Sequence, residues 1–249
     1  MRRAKGFTLI ELLMVISIIT LLMAILLPTL QRVNMQAKMV ACQSNLHQWG
    51  LAFSMYTADH NDRFFGNSGL VIGYLYDIND MLLCPMAMKH KERPDDPWAL
   101  AGIASRIGGK FSAWTHVSPG RTTIYGSYGI NDFIRDESHH YFWRTPSAKN
   151  TANTPVYIDC VQPSAEPLTH DAPPEYDNTL GSRMSYFCIN RHNGGINSLF
   201  MDWSVRKVGL KELWTLKWHR KFDTAGPWTR AGGALPEDWP EWMRNFKDY

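Results

Sequence analysis

Lys5-Gly6-Phe7-Thr8-Leu9-Ile10-Glu11-Leu12 opens an apolar run that continues to Leu27. Seventeen of the 21 residues from 7 to 27 are apolar. Wound as a helix, that run is about 31 Å long, enough to cross the hydrocarbon core of a bilayer. Arg2, Arg3 and Lys5 precede it. The positive-inside tendency keeps that end cytoplasmic and sends the rest of the chain across the membrane. A secretory signal is the alternative, with an apolar core of about 7–15 residues and a small-residue cleavage site. This run is longer, ends at Leu27-Pro28, and has no such site after it. Glu11 stands apart, because an acid at membrane depth is costly and marks a functional position by default.

The remainder of the 249-residue chain is an ordinary polar body. The chain holds 26 basic and 23 acidic side chains, a formal charge of +3. Arg2, Arg3 and Lys5 account for the whole excess, so residues 7–249 carry 23 groups of each sign. A nucleic-acid interface needs a clustered basic face, and no nucleic-acid partner is expected. A hydrophobic content of 45% is that of a folded protein and excludes a disordered or collagen-like chain.

After Pro28 the pattern stays helical and turns amphipathic. Cys42, Leu46, Trp49, Phe53 and Tyr56 follow alternating steps of four and three, which places them on one helical face. The spacing predicts one helix from Phe7 to about Ala58, its outer half forming the spine of a globular head. Asp59-His60-Asn61-Asp62 is turn chemistry that ends it. The expected strands are Leu70 to Tyr76, Thr122 to Ile130, Pro155 to Cys160, Met184 to Asn190, Asn197 to Met201 and Ser204 to Val208. Leu210 to Trp218 suits a short helix with Leu213 and Trp214 inward. The tail from Ala225 to Tyr249, rich in Pro, Gly and Trp, is expected to wrap the surface.

The opening segment resembles the cleavage and methylation motif of type IV prepilins and type II secretion pseudopilins: a short basic leader, Gly6, Phe7, three residues, Glu11, then an apolar helix. The resemblance implies an α+β pilin-like fold, a long N-terminal helix packed on an antiparallel sheet. It implies residues 1–6 as leader, 7–27 as transmembrane helix, 28–60 as its amphipathic continuation and 61–249 as the head. A prepilin peptidase would cut between Gly6 and Phe7, and the new Phe7 amine would be methylated. Glu11 would neutralise the N-terminus of a neighbouring subunit inside a filament, where a buried carboxylate gains the partner charge it needs. Other pseudopilin subunits and the inner-membrane secretion machinery are the implied partners, with the head periplasmic. The function so implied is a subunit of a type II secretion-type filament; a type IV pilus subunit for adhesion or DNA uptake is the alternative. A membrane-tethered enzyme or carbohydrate-binding head is a third reading, which would need a concave polar site.

A later stretch, His192-Asn193-Gly194-Gly195-Ile196-Asn197-Ser198-Leu199-Phe200-Met201-Asp202-Trp203, is similar to the C-terminal His-x9-Asp-Gly signature of prepilin-processing-associated proteins, with Trp203 where Gly is expected. His192 and Asp202 would lie roughly 20 Å apart along a strand, so they share an ion or proton only if the segment folds back. Otherwise His192 caps a Gly-rich loop and Asp202 shapes a turn. No HExxH, paired zinc spacing or Gly-x-Ser-x-Gly elbow exists in the chain, so no catalytic residue, metal or cofactor is expected. Calcium is the one ion considered, with oxygens from Asp95, Asp96, Asp171 and Asp177, although no twelve-residue calcium loop supports it. The four cysteines, Cys42, Cys84, Cys160 and Cys188, lack a CxxC pair. Outside the cytoplasm disulfides are permitted, and Cys42 with Cys84 is the expected pairing; buried free thiols are the alternative. Ten tryptophans serve either core packing or contact with sugars or filament neighbours.

Overall fold

The computed structural model describes residues 8–66, 79–88, 104–117 and 123–249. The expected strand at Leu70 to Tyr76 lies outside them, as do Asp95, Asp96 and Trp98. Helix α1 runs from Leu9 to Asp59 and continues through Pro28. The chain divides into two compact units, residues 1–38 and 39–249.

The first unit is helix whose apolar side chains face outward. From Leu9 to Leu27 fifteen large apolar residues are exposed, from 46% at Val15 to 84% at Leu9. Burying one such side chain is worth about 1.5–3 kcal/mol. Fifteen left in water would forgo roughly 20–45 kcal/mol, more than the ~5–15 kcal/mol stability of a typical domain. The mean hydropathy over its most apolar 18 residues is 2.8, and the helix is long enough to span a bilayer. Its hydroxyls suit such a solvent: Ser17 Oγ donates to Met14 O at 2.8 Å and Thr20 Oγ1 to Ser17 O at 2.9 Å. Both hydroxyl hydrogens are thus satisfied within the helix without water.

In the second unit the expected stripe is the buried face of the helix: Cys42, Leu46, Trp49 and Phe53 are at most 5% exposed. Its end is built by two consecutive left-handed residues, Asn61 (φ 55°) and Asp62 (φ 59°), types that tolerate this region. They let Asp62 N donate back to Thr57 O at 2.9 Å, satisfying a terminal carbonyl.

Two sheets follow. Strands β1 (Ala104–Arg106), β2 (Trp114–Val117) and β3 (Ile124–Gly126) form an antiparallel three-stranded sheet. The larger sheet has the order β6-β4-β5-β7-β8, with β4 at Tyr128–Asn131, β5 at Pro155–Asp159, β6 at Ser164–Ala165, β7 at Gly195–Phe200 and β8 at Val205–Gly209. All its pairings are antiparallel except β4 with the two-residue β6. The expected strand over Thr122 to Ile130 is thus two strands in different sheets, separated at Ser127.

The five-stranded sheet is covered on both sides, and its side chains alternate with a period of two except at Val156, where an irregularity between Pro155 and Tyr157 leaves Val156 in the same cluster as Tyr157. Tyr157 and Leu199 face α1 and join its stripe in one apolar cluster with Trp49, Phe53, Trp114 and Tyr128. Ile158, Ile196 and Phe200 face the other way, into a second cluster with Phe187, Leu213, Trp214, Trp218 and Trp239. The short 3-10 turn Lys211–Thr215 buries Leu213 and Trp214, as expected. The tail does more than wrap: Trp239 stacks edge-on against Trp214 at 5.2 Å, and Met243 is fully buried.

One expected strand is absent. Met184 to Asn190 is a 3-10 turn, Arg183–Tyr186, followed by loop. Among its buried residues Met184, Ser185, Phe187, Cys188 and Ile189, Met184, Phe187 and Cys188 stand at i, i+3 and i+4, and Cys188 N donates to Met184 O at 3.0 Å. Short apolar runs leave strand and helical turn undistinguished by pattern alone.

Candidate functional site

Two places carry unusual chemistry. The first is the start of α1. Thr8 N and Thr8 Oγ1 both donate to Glu11 Oε2, at 2.8 and 2.7 Å, while Glu11 N donates to Thr8 Oγ1 at 3.3 Å. This is a reciprocal capping box, Thr-x-x-Glu, which satisfies free amide groups at a helix start. Glu11 therefore has a structural partner within the chain, a role that the spacing Thr8 to Glu11 announces in the sequence. Gly6 and Phe7 lie outside the described residues.

The second place is buried at the contact between α1 and the large sheet. Period-two alternation puts Asp159, the last residue of β5, on the same sheet face as Tyr157, against Cys42 of α1. Cys84 follows the 3-10 turn Asn79–Leu82 and is pinned by a 2.5 Å hydrogen bond from its amide to Ser127 Oγ. His192 sits before β7, where Asn193 (φ 50°) and Gly194 (φ 80°) turn the backbone and His192 N donates to Gly195 O at 2.9 Å. One donor atom from each of Cys42, Cys84, Asp159 and His192 comes within 4.8 Å of all the others. His192 Nε2 lies 3.1 Å from Asp159 Oδ2 and 3.4 Å from Cys84 Sγ. Cys42 Sγ is 3.8 Å from both carboxylate oxygens of Asp159.

A shell of fixed partners surrounds these groups. Arg191, fully buried like Asp159, donates through Nη1 to Asp159 Oδ1 at 2.8 Å. The same guanidinium donates to the carbonyls of Gly109, Lys110, Ser127 and Cys160. Asn197 N donates to Asp159 Oδ2 at 2.8 Å, and Tyr128 Oη donates to Cys42 Sγ at 3.3 Å. Burial alone would raise the Asp159 carboxyl, but the His192 and Arg191 charges outweigh it and hold the group down at about 2. Burial would likewise suppress a charge on His192, yet Asp159 beside it lifts that imidazole to about 9. At Cys84, hydrogen bonds with Cys42 and His192 overcome burial and bring the thiol to about 7. Cys42, buried and facing Cys84 and Asp159, is pushed well up.

The expected site residues are thus redistributed. His192 and Asp202 are not partners: exposed Asp202 accepts from Ser204 N and Oγ in the β7–β8 turn, at 3.0 and 2.6 Å, whereas His192 faces Asp159 across the buried cluster. Trp203, standing in place of the expected Gly, still adopts the left-handed backbone, φ 65°. Its ring packs edge-on against Phe64 at 6.4 Å, which compensates for the strained conformation. The expected Cys42–Cys84 disulfide is not formed: both residues are buried free thiols, as are Cys160 and Cys188. Asp171 and Asp177, named for calcium, are committed elsewhere: Asp171 Oδ2 accepts from Leu168 N and Met184 N, and Asp177 Oδ2 from Lys110 Nζ. Sequence reading missed Asp159 and Arg191. The signal was there, since Asp159 directly follows the apolar run Val156-Tyr157-Ile158, and an acid buried with such a run demands a partner.

A polar groove lies near the end of α1, lined by Asp62, Arg63, Arg144, Lys149 and Arg220 among others. Part of its charge is paired: Arg63 and Arg144 both hold Asp136, at 2.9 and 2.8 Å, and Thr145 Oγ1 donates to Asp62.

Comparison with known proteins bears on the first place. The family model of the prokaryotic N-terminal methylation motif matches residues 1–27. The chain is 39% identical over 71 residues to the type IV wide pilus major component PilA4 of Thermus thermophilus, a match covering 28% of this chain and 54% of that protein. The chain thus spans about half the length of this curated relative. No solved structure matches it. In the methylation motif at its start and the one long N-terminal helix packed on β-sheets, the chain resembles type IV prepilins.

Proposed function

We propose that the chain is a structural subunit of a membrane-derived filament, anchored before assembly by residues 7–27 and carrying its head outside the cytoplasm. The observation that carries this reading is the apolar first unit of α1, exposed on all sides, beneath a methylation motif. Such a surface needs lipid or copies of itself. Transfer from one to the other moves the helix from bilayer to filament core without exposing it to water. A prepilin peptidase cuts between Gly6 and Phe7, Phe7 is methylated, and Glu11 meets the Phe7 amine of a neighbour. That last step requires Glu11 to exchange its Thr8 contacts for an intermolecular pair. Glu11→Gln keeps a capping side chain but not the charge. The variant is expected to insert and be processed while failing to enter filaments; normal assembly of it would remove the proposed role.

Two filament classes share this N-terminus. The similarity to a pilus component favours a pilus subunit; the pseudopilin reading rests on the motif alone. Deleting the gene separates them, since loss of surface fibres supports the first and loss of an exported protein with fibres intact supports the second.

A further inference from the structure

We propose that Cys42, Cys84, Asp159 and His192 form a closed, four-ligand site for a zinc ion that fastens α1 to the head. This is independent of the filament reading, because all four residues lie within the unit 39–249.

The donor set is right for zinc. Thiolate and imidazole ligands with one carboxylate suit a d10 ion without geometric demands of its own. Bond lengths of about 2.3 Å to sulfur and 2.0–2.2 Å to nitrogen or oxygen make the edges of a tetrahedron roughly 3.3–3.8 Å. Observed separations are 3.1 Å (Nε2 to Oδ2), 3.4 Å (Nε2 to Cys84 Sγ) and 3.8 Å (Cys42 Sγ to Asp159), with none of the remainder above 4.8 Å. Small side-chain shifts close the shell around a central ion. A disulfide, by contrast, would leave a buried carboxylate and imidazole converging on a sulfur that no longer has a charge to share.

The charges also close. Two thiolates and the Asp159 carboxylate are balanced by a divalent cation and the Arg191 guanidinium. Without metal the same neutrality is kept by two protons distributed over Cys42, Cys84 and His192. Binding therefore exchanges two protons for one zinc ion: two zinc–sulfur bonds form, zinc takes the His192 Nε2 lone pair, the remaining ring proton sits on Nδ1, and two protons leave to solvent. Outer partners that orient metal ligands elsewhere are in place on two of the four: Arg191 and Asn197 N on Asp159, and Tyr128 Oη on Cys42, while the buried His192 Nδ1 has no partner among the described residues. With four protein ligands and no open position the site is structural. It joins segments 117 residues apart (Cys42 and Asp159) and 108 apart (Cys84 and His192). The ion thus ties the helix to the end of β5, to the loop before β7 and to the segment after the first 3-10 turn.

The test is elemental analysis of the full chain extracted in detergent, from cells grown with zinc and from cells grown with cobalt. About one zinc per chain is expected. The cobalt form should show thiolate-to-metal charge transfer and tetrahedral visible bands, a signature read on the unaltered protein. Cys84→Ser and Cys42→Ser should each reduce metal to background, whereas Cys188→Ser, at a buried thiol outside the cluster, should retain it. Folding of each variant is followed by tryptophan fluorescence. Metal-free folded wild-type protein, a Cys42–Cys84 disulfide in the non-reduced chain, or metal retained in the folded Cys84→Ser variant would each overturn the proposal.

Discussion

Arg191→Met removes one of the two cationic groups, with His192, in direct contact with a carboxylate that has no access to water. Arg191 and Asp159 are both fully buried and 2.8 Å apart, and four backbone carbonyls share the guanidinium. A methionine fills comparable volume but donates nothing. Breaking one side of a buried pair costs about 3–5 kcal/mol, because the remaining charge is left uncompensated. For a unit of this size each kcal/mol moves the midpoint of thermal unfolding by about 2–4 °C, so a loss of roughly 6–20 °C is expected. The assay is urea and thermal unfolding of the full chain in detergent with a metal chelator, followed by tryptophan fluorescence. Arg183→Met, at an exposed arginine lying over Tyr186, serves as control and should change stability by no more than about 0.5 kcal/mol. Adding Asp159→Asn to Arg191→Met removes the orphaned charge, and the double variant should be less destabilised than the sum of the singles by about 1–3 kcal/mol. Strict additivity, or an Arg191→Met effect no larger than the control, would refute the reading of this pair as the electrostatic centre of the head.

Two further outcomes follow from packing and titration. Leu46→Ala, at a fully buried position of the α1 stripe, should cost about 2–5 kcal/mol, while Leu51→Ala on the same helix, 56% exposed, should stay within about 0.5 kcal/mol; equal effects in urea unfolding would mean that the stripe is not the packed face. His219 is buried among Phe133, Tyr141 and Phe222, and burial, then Lys217 and His140, hold its pKa down to about 4; its Nδ1 accepts from Lys221 N at 3.2 Å, which requires the neutral ring. With an unfolded value of about 6.5, the stabilisation is complete above that pH and is lost as pH falls towards 4, by up to about 3 kcal/mol. His219→Phe should flatten that part of the stability–pH curve, and parallel curves for the two proteins would contradict it.

The parts of this molecule that were legible in the sequence are those written in periodicity. The 4-3-4-3 steps from Cys42 to Tyr56 identify the packed face of α1, and Asn61-Asp62 mark its end because few other residues accept two successive positive φ angles. Short runs of strand-forming residues bounded by loops locate β5, β7 and β8. What stayed hidden depends on long-range contact. Thr122 to Ile130 reads as one strand, yet Ser127 hands the chain from one sheet to the other. Met184 to Asn190 is apolar enough for a strand but packs at helical spacing. The buried cluster draws on α1, the segment after Leu82, the end of β5 and the loop before β7, and no local motif links them. Reach along the strand did separate His192 from Asp202, but it had no means of bringing Asp159 to His192 across the sheet. The argument applied to Glu11, that an acid in an apolar run needs a partner, applies equally to Asp159 and leads to Arg191.

Intact-mass measurement of the protein extracted from its native membrane tests the central claim most directly. The account predicts a chain that begins at Phe7 and carries one added methyl group on its amine. A protein that retains Met1 to Gly6, or one cut elsewhere in the apolar helix, would contradict it.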